Sequence, residues 1–172
     1  MKTLVVIGHP DLETSLINKR WMDELKKYPE NFTVHHLRHE NTDHRFDLKK
    51  EQKLIEEHGN LIIQFPMYWF NCPALVKQWI DEVFTEGWAY GEGGTILKEK
   101  KIGLGISMGL KEEKLTKYNF SVDDLILPFK ITFSYTKSNF RGFYALYNSH
   151  EAVNNGELDK SIDPYLSFIK NI

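Results

Sequence analysis

The chain has 172 residues, about the size of one domain, and this length is enough to bury a single substantial core. The 22 basic and 24 acidic residues nearly balance at a net charge of −2, which argues against a broad nucleic-acid surface. No run of about 18 apolar residues is present, so no spanning helix is predicted, and the first apolar stretch is too short for a signal peptide. The lone cysteine, Cys72, fits a reducing compartment. We therefore expect one cytoplasmic domain over residues 1–172, without membrane insertion.

In chain order, short apolar runs alternate with segments that have helical spacing. Strands are predicted at residues 3–7, 32–37, 61–64 and 101–107, and helices at residues 15–25, 48–58 and 73–84. Further on, the pattern predicts a short helix at 122–127, a last strand at either 132–135 or 142–147, and a closing helix at 158–169. This alternation predicts a parallel, doubly wound α/β sheet. Right-handed crossovers then place the loops that follow the strands at one edge.

The first of these loops runs from residue 8 to residue 18 and carries His9, Ser15 and Asn18. The first turn of a helix has unpartnered N–H groups and the positive end of the helix dipole, so it favours an anion. The Ser15 hydroxyl and the Asn18 amide can add hydrogen bonds. This loop predicts a phosphate site, with a plain N-cap at Ser15 as the alternative.

The loop after the third predicted strand reads Pro66-Met67-Tyr68-Trp69-Phe70. It lies beyond the carboxyl end of a strand, where open α/β sheets bind ligands, and its aromatic side chains suit a flat ring. The alternative is that Trp69 and Phe70 close the top of the core. Residues 107–110, after the fourth strand, have a backbone that can hydrogen-bond a heterocycle at the same edge, with a plain turn as the alternative.

Other motifs predict no site. Gly103 and Gly105 fall inside a strand and not in the turn after it, so they do not support a dinucleotide fingerprint. The histidines between residues 35 and 44 have no cysteine or convincing carboxylate pattern beside them, so no metal site is predicted. Cys72 has no local nucleophile signature and reads as a small buried side chain.

Taken together, the loops at residues 8–18, 65–70 and 107–109, with 88–94 between the last two, resemble the NAD(P)H:quinone oxidoreductases of the flavodoxin-like fold. This family includes DT-diaphorase, bacterial modulators of drug activity and the ancillary oxidoreductases of potassium-efflux systems. The likeness extends from residue 1 to about residue 109. It implies a five-stranded parallel sheet of order 2-1-3-4-5 with helices on both faces.

The resemblance also implies a flavin. FMN is favoured over FAD, because the longer relatives have additional chain around the adenosine. The implied cofactor-binding residues form three groups. The phosphate and ribityl end would be held by His9, Ser15, Leu16, Ile17 and Asn18, the ring by Pro66, Met67, Tyr68, Trp69 and Phe70, and the pyrimidine edge by Ser107, Met108, Gly109 and Leu110.

The chain departs from the family pattern at two points. A turn that is often Thr-Thr-Gly-Gly in the family reads Ser107-Met108-Gly109-Leu110 here. Mammalian members use a tyrosine and a histidine as partners for flavin charge. Tyr118 is the candidate catalytic residue near that region, but no histidine lies between His58 and His150.

The function implied is an FMN-dependent NAD(P)H dehydrogenase that transfers two electrons as hydride through flavin N5 to a quinone or similar acceptor, with ping-pong kinetics. NAD(P)H and quinone-like molecules are then the small-molecule partners, and a homodimer is expected. Two alternatives stay open: a regulatory subunit docked on a potassium-efflux transporter, and a one-electron carrier like flavodoxin.

Overall fold

A computed structural model of the protein describes residues 2–39 and 44–172. A five-stranded parallel sheet forms its centre, in the order β2-β1-β3-β4-β5. The strands are β1 (Thr3–Ile7), β2 (Phe32–His36), β3 (Asn60–Pro66), β4 (Lys101–Ser107) and β5 (Asn139–Leu146). The predicted flavodoxin-like fold and strand order are confirmed.

Helices cover both faces of the sheet. They are α1 (Leu16–Leu25), α2 (Leu48–Glu56), α3 (Ala74–Val83), α4 (Glu112–Lys117), α5 (Val122–Leu125), α6 (Leu127–Tyr135), α7 (Ser149–Ala152), α8 (Glu157–Lys160) and α9 (Ile162–Lys170). A short 3-10 helix, Leu12–Thr14, precedes α1. No helix within the described ranges is long and apolar enough to cross a membrane.

The alternation of side chains along a strand produces two cores. On β1, Leu4 and Val6 face a core shared with α2, α3 and α6, whereas Val5 and Ile7 face a core shared with α1 and α9. Every residue of β1 is buried, as expected for a central strand covered on both faces. The sheet is therefore a rigid platform whose carboxyl edge holds the loops after β1, β3, β4 and β5.

The two candidates for the last strand are resolved by the structure. Residues 132–135 belong to α6, so that alternative is wrong, and residues 142–146 lie in β5, as the other alternative predicted. Pro128 sits in the first turn of α6, where its fixed φ suits a helix, and Phe129 and Phe133 bury one helical face. The predicted closing helix is divided into α8 and α9.

Candidate functional site

A cavity of about 500 Å³ opens at the carboxyl edge of the sheet. Its walls come from the loops after β1, β3, β4 and β5, and most of the predicted site residues meet there. The predicted residues in its wall are His9, Ser15, Leu16, Ile17, Asn18, Pro66, Met67, Tyr68, Ser107 and Gly109. The convergence of three loops that the sequence predicted is therefore present.

The N-terminus of α1 forms one end of the cavity. Ser15 is the N-cap, and its Oγ accepts a hydrogen bond from the backbone N–H of Asn18 at 3.1 Å. The amides of Leu16 and Ile17 belong to the first turn, where the helix offers no acceptor of its own. Ser15 is thus the N-cap that the alternative predicted, and the phosphate site stays a prediction, compatible with this cap because the first turn keeps amides for an anion.

His9 lies two residues after the end of β1 and is buried. Its Nδ1 accepts the backbone N–H of Asp11 at 3.1 Å, which assigns the ring proton to Nε2. Burial lowers the pKa of His9 below its usual value of 6.5, although Asp11 opposes the shift. The ring is therefore neutral at pH 7 and carries one N–H.

The loop after β3 has an unusual backbone. Tyr68 and Asn71 pair across a tight turn, with Tyr68 N–H donating to Asn71 O at 2.8 Å and Asn71 N–H donating to Tyr68 O at 3.0 Å. The two residues between them, Trp69 and Phe70, have φ values of 44° and 63°, in the left-handed region that favours glycine or asparagine.

This turn holds aromatic side chains away from the core. Trp69 is 93% exposed and Phe70 is 47% exposed, so the reading in which they close the top of the core is wrong. Neither residue belongs to the cavity wall. Backbone strain of this kind persists where the surrounding structure or a function requires it.

The loop after β4 is tied to the loop after β5. Met108 O accepts the N–H of Ser149 at 2.9 Å, and Leu110 O accepts the N–H of Asn148 at 3.1 Å. Met108 is buried and Leu110 packs against the core, so neither side chain belongs to the cavity wall. Their part in the site is to hold the backbone around Gly109.

Sequence reasoning missed the wall contributed by the loop after β5. The wall residues added there are Ser149, His150, Val153 and Asn154, and Thr14 is added in the loop after β1. His150 Nε2 would lie 3.2 Å from a Cβ placed on Gly109, so a side chain at position 109 would crowd it. The position after a strand was the available signal, but the end of the last strand was ambiguous.

Tyr118 follows α4 and is 65% exposed. It is not in the wall of the cavity. The histidines of the β2 region have structural partners: His35 contacts Glu51, His36 contacts the carbonyl of His9, and His39 contacts Gln78. Among the described residues, no three His, Cys, Asp or Glu side chains form a metal-binding group.

Comparison with known proteins places this geometry in a family. A family model described as flavodoxin-like fold matches residues 1–168. The uncharacterized NAD(P)H oxidoreductase YrkL of Bacillus subtilis is 45% identical over 152 residues, with 87% of each chain covered.

Two solved structures extend the comparison. General stress protein 14 of Treponema denticola, in complex with FMN, has a TM-score of 0.91 and 38% identity over 99% of each chain. An NADPH-quinone reductase from P. pentosaceus has a TM-score of 0.88 and 26% identity, covering 100% of this chain and 99% of that one. The chain therefore belongs to the flavodoxin-like-fold family, in the group that contains these oxidoreductases.

Proposed function

We propose that the protein is an FMN-dependent NAD(P)H dehydrogenase that passes two electrons to a quinone or a similar acceptor. The observation that carries the proposal is the cavity at the carboxyl edge of the sheet. The N-terminus of α1, the buried hydroxyls of Ser15 and Ser107, and an apolar shelf formed by residues 66–68 meet in it. The proposal draws on the printed names of the relatives, an NAD(P)H oxidoreductase, an NADPH-quinone reductase and a stress protein in complex with FMN.

The donors in the cavity fit the polar end of FMN. The amides of Leu16 and Ile17 and the hydroxyl of Ser15 suit the phosphate, because a helix N-terminus favours an anion. His9 offers its Nε2–H, and Ser107 offers a hydroxyl at the end of β4. These groups would hold the phosphate and ribityl chain.

The apolar shelf fits the flat ring system of FMN. Pro66, Met67 and Tyr68 present apolar and aromatic surface, and Trp69 and Phe70 extend that surface beyond the cavity wall. Met67 is fixed by its N–H, which donates to Ser107 O at 2.7 Å. The Gly109 backbone and His150 also line the cavity, and donors there would stabilise negative charge on a reduced ring.

When bound, FMN would supply the redox chemistry, by taking two electrons as hydride from NAD(P)H and passing two electrons to the acceptor. The residues of this chain would bind the cofactor and orient the substrates beside it. Nicotinamide and acceptor would use the same site in turn. The steady-state kinetics should then be ping-pong.

We also propose a homodimer, with the outer face of α6 in the interface. Leu127, Ile131 and Tyr135 recur every four residues on that face and are 51%, 60% and 67% exposed. The opposite face already buries Phe129 and Phe133, so α6 is apolar on both sides. A groove of about 810 Å³ between α3 and α6 continues this surface, and apolar patches of this kind mark interaction sites.

Tyr118 lies outside the cavity of its own chain, so a catalytic role for it requires the cavity of a second copy. Replacing Tyr118 with Phe should lower the turnover number and leave FMN binding unchanged. A role as a docked transporter subunit would instead appear as co-purification with the transporter, and a one-electron carrier as a stable half-reduced flavin without NAD(P)H oxidation.

The kinetic test is initial-rate measurement with NADPH varied at several fixed concentrations of benzoquinone. Parallel double-reciprocal lines support a shared site and the proposed function. Intersecting lines would show that both substrates bind at once and would contradict it. An FMN-loaded protein that does not oxidise NADPH or NADH would contradict the dehydrogenase itself.

A further inference from the structure

A chain of buried hydrogen bonds runs beneath the floor of the cavity. Its links are Tyr165 Oη to Gln64 Oε1 at 2.6 Å, Gln64 Nε2 to Asn18 Oδ1 at 3.1 Å, and Asn18 Nδ2 to Ser107 Oγ at 3.0 Å. All four residues are buried, and Gln64 is completely inaccessible. Polar groups buried to this degree need partners, so the direction of each bond matters.

The direction is set where Gln64 meets the backbone of Asn18. Gln64 Nε2 lies 3.1 Å from the backbone O of Asn18, and this carbonyl can only accept, so the Gln64 atom that faces it is the amide nitrogen. The same nitrogen donates to Asn18 Oδ1 at 3.1 Å. Gln64 Oε1 then faces Tyr165, whose hydroxyl donates to it, and burial raises the pKa of this phenol well above its usual value, so it keeps its proton.

The orientation of Gln64 in turn fixes the orientation of Asn18. With Oδ1 turned toward Gln64, Asn18 Nδ2 points at Ser107 Oγ at 3.0 Å and at Ser15 Oγ at 3.4 Å. Both serine oxygens therefore accept hydrogen bonds from the Asn18 side-chain amide. Ser15 Oγ also accepts the backbone N–H of Asn18 at 3.1 Å. Because both serines line the cavity, their own O–H protons are left to donate to a ligand.

The opposite orientation would reverse this outcome. If the Asn18 amide were flipped, Oδ1 would accept the protons of Ser15 and Ser107. The two serines would then present lone pairs to the cavity, which would repel a phosphate or a carbonyl oxygen. Through the orientation of Asn18, donor polarity in the wall thus depends on Gln64, which is not itself in the wall.

Tyr165, at the far end of this series of hydrogen bonds, is held in place by its neighbours. The Tyr165 ring stacks on Trp21 with centroids 4.3 Å apart, and Trp21 Nε1 donates to Ser161 Oγ at 2.9 Å. Gly105 makes room for the phenol, because a Cβ there would lie 2.9 Å from the Tyr165 ring and 3.0 Å from its hydroxyl. The phenol is therefore held in place beneath β3 and β4.

We propose that Gln64 and Tyr165 are positioning residues that orient the hydroxyls of Ser15 and Ser107 as hydrogen-bond donors toward the phosphate and ribityl end of FMN. The inference rests on the proposed function for the identity of the ligand. It goes further by assigning a binding role to two buried residues behind the cavity wall.

The first test is FMN titration of the apoprotein, followed by quenching of flavin fluorescence. Tyr165→Phe removes the hydroxyl and keeps the stacked ring, and we expect it to weaken FMN binding about five- to tenfold. Tyr144→Phe is the matched control. Tyr144 belongs to the same aromatic cluster, with its ring centroid 5.6 Å from that of Tyr165, but its hydroxyl lies beside Ser161 instead of Gln64. This control should change the affinity by less than about twofold.

A double-mutant cycle separates positioning from a general structural effect. In a Ser107→Ala background, Tyr165→Phe should weaken FMN binding less than it does in the natural chain, because one of the two hydroxyls that it orients is gone. A full effect in that background would overturn the inference. Gln64→Met, which removes the middle link at similar volume, should behave as Tyr165→Phe does and provides a second variant if the first destabilises the fold.

The outcomes distinguish this inference from the proposed function. If the natural protein fails to bind FMN, the proposed function fails. If it binds FMN and Tyr165→Phe binds it equally well, only the positioning role fails.

Discussion

The turn at Trp69 and Phe70 allows a paired prediction about stability. Both residues have left-handed φ values, which cost about 1–2 kcal/mol each for side chains other than glycine or asparagine. Asparagine tolerates this conformation better, so replacement by Asn should recover about 1 kcal/mol at either position. The two positions differ in burial, and that difference decides the sign of each effect.

Trp69 is 93% exposed, so its removal sacrifices almost no buried surface. We expect Trp69→Asn to raise the free energy of unfolding by about 0.5–1 kcal/mol. Phe70 is 47% exposed, and about 100 Å² of its surface is therefore buried. At about 25 cal/mol per Å² this is worth about 2.5 kcal/mol, so Phe70→Asn should lower the free energy of unfolding by about 1.5 kcal/mol. The ring contact between the two residues is lost in both variants and cancels in the comparison.

The assay is urea unfolding of the apoprotein, with the natural chain and both variants at the same concentration. If Trp69→Asn lowers the free energy of unfolding by more than about 1 kcal/mol, the turn is not strained as the φ values indicate. Functionally, the more stable Trp69→Asn variant should lose about tenfold in quinone reduction, since the shelf loses its outer aromatic surface. A variant that is both more stable and fully active would show that Trp69 has no part in the site.

Three further predictions follow from other features. The lowered pKa of His9 means that the unfolded chain binds a proton below pH 6.5 before the folded chain does, so stability falls as the pH decreases from there. His9→Asn, whose Oδ1 can accept the Asp11 amide, should reduce the loss of unfolding free energy between pH 7.5 and pH 5.5, and an unchanged loss would contradict the account. Burial raises the pKa of Cys72 from 9.0 to about 11, so the folded protein should react with iodoacetamide at pH 8 about a hundredfold more slowly than the unfolded chain; equal rates would contradict the shift. Ile131→Glu should convert the proposed dimer to a monomer in light scattering, whereas Ile96→Glu, at an exposed site outside α6, should leave it unchanged. A dimeric Ile131→Glu variant would exclude the α6 face.

Much of the fold could be predicted because local and long-range signals agree. The β-branched run predicts a buried strand, and every residue of β1 is buried. The spacing of apolar residues in α3 predicts one buried helical face, and Trp79, Ile80 and Val83 are buried there. The ambiguity at the last strand has a physical cause. Residues 132–135 have the β-branched and aromatic composition of a strand, but Pro128 and the pair Phe129 and Phe133 place them on a helix packed over β3.

The site was predictable where a loop directly follows an unambiguous strand. The loop after β5 was not predicted as part of the site, because the end of β5 was uncertain. His150, which belongs to that loop and lies next to Gly109, was therefore not predicted either. The roles of Gln64 and Tyr165 were beyond reach of a single sequence. Their hydrogen bonds join residues 46 and 101 positions apart, and nothing local in the sequence indicates that these side chains meet.

The most direct test of the proposed function is anaerobic addition of NADPH, then NADH, to the FMN-reconstituted protein, with the visible flavin band recorded. We predict rapid two-electron bleaching of that band, and its return when benzoquinone is added. Bound flavin that stays oxidised with both nucleotides, or a protein that does not retain FMN, would contradict the proposal.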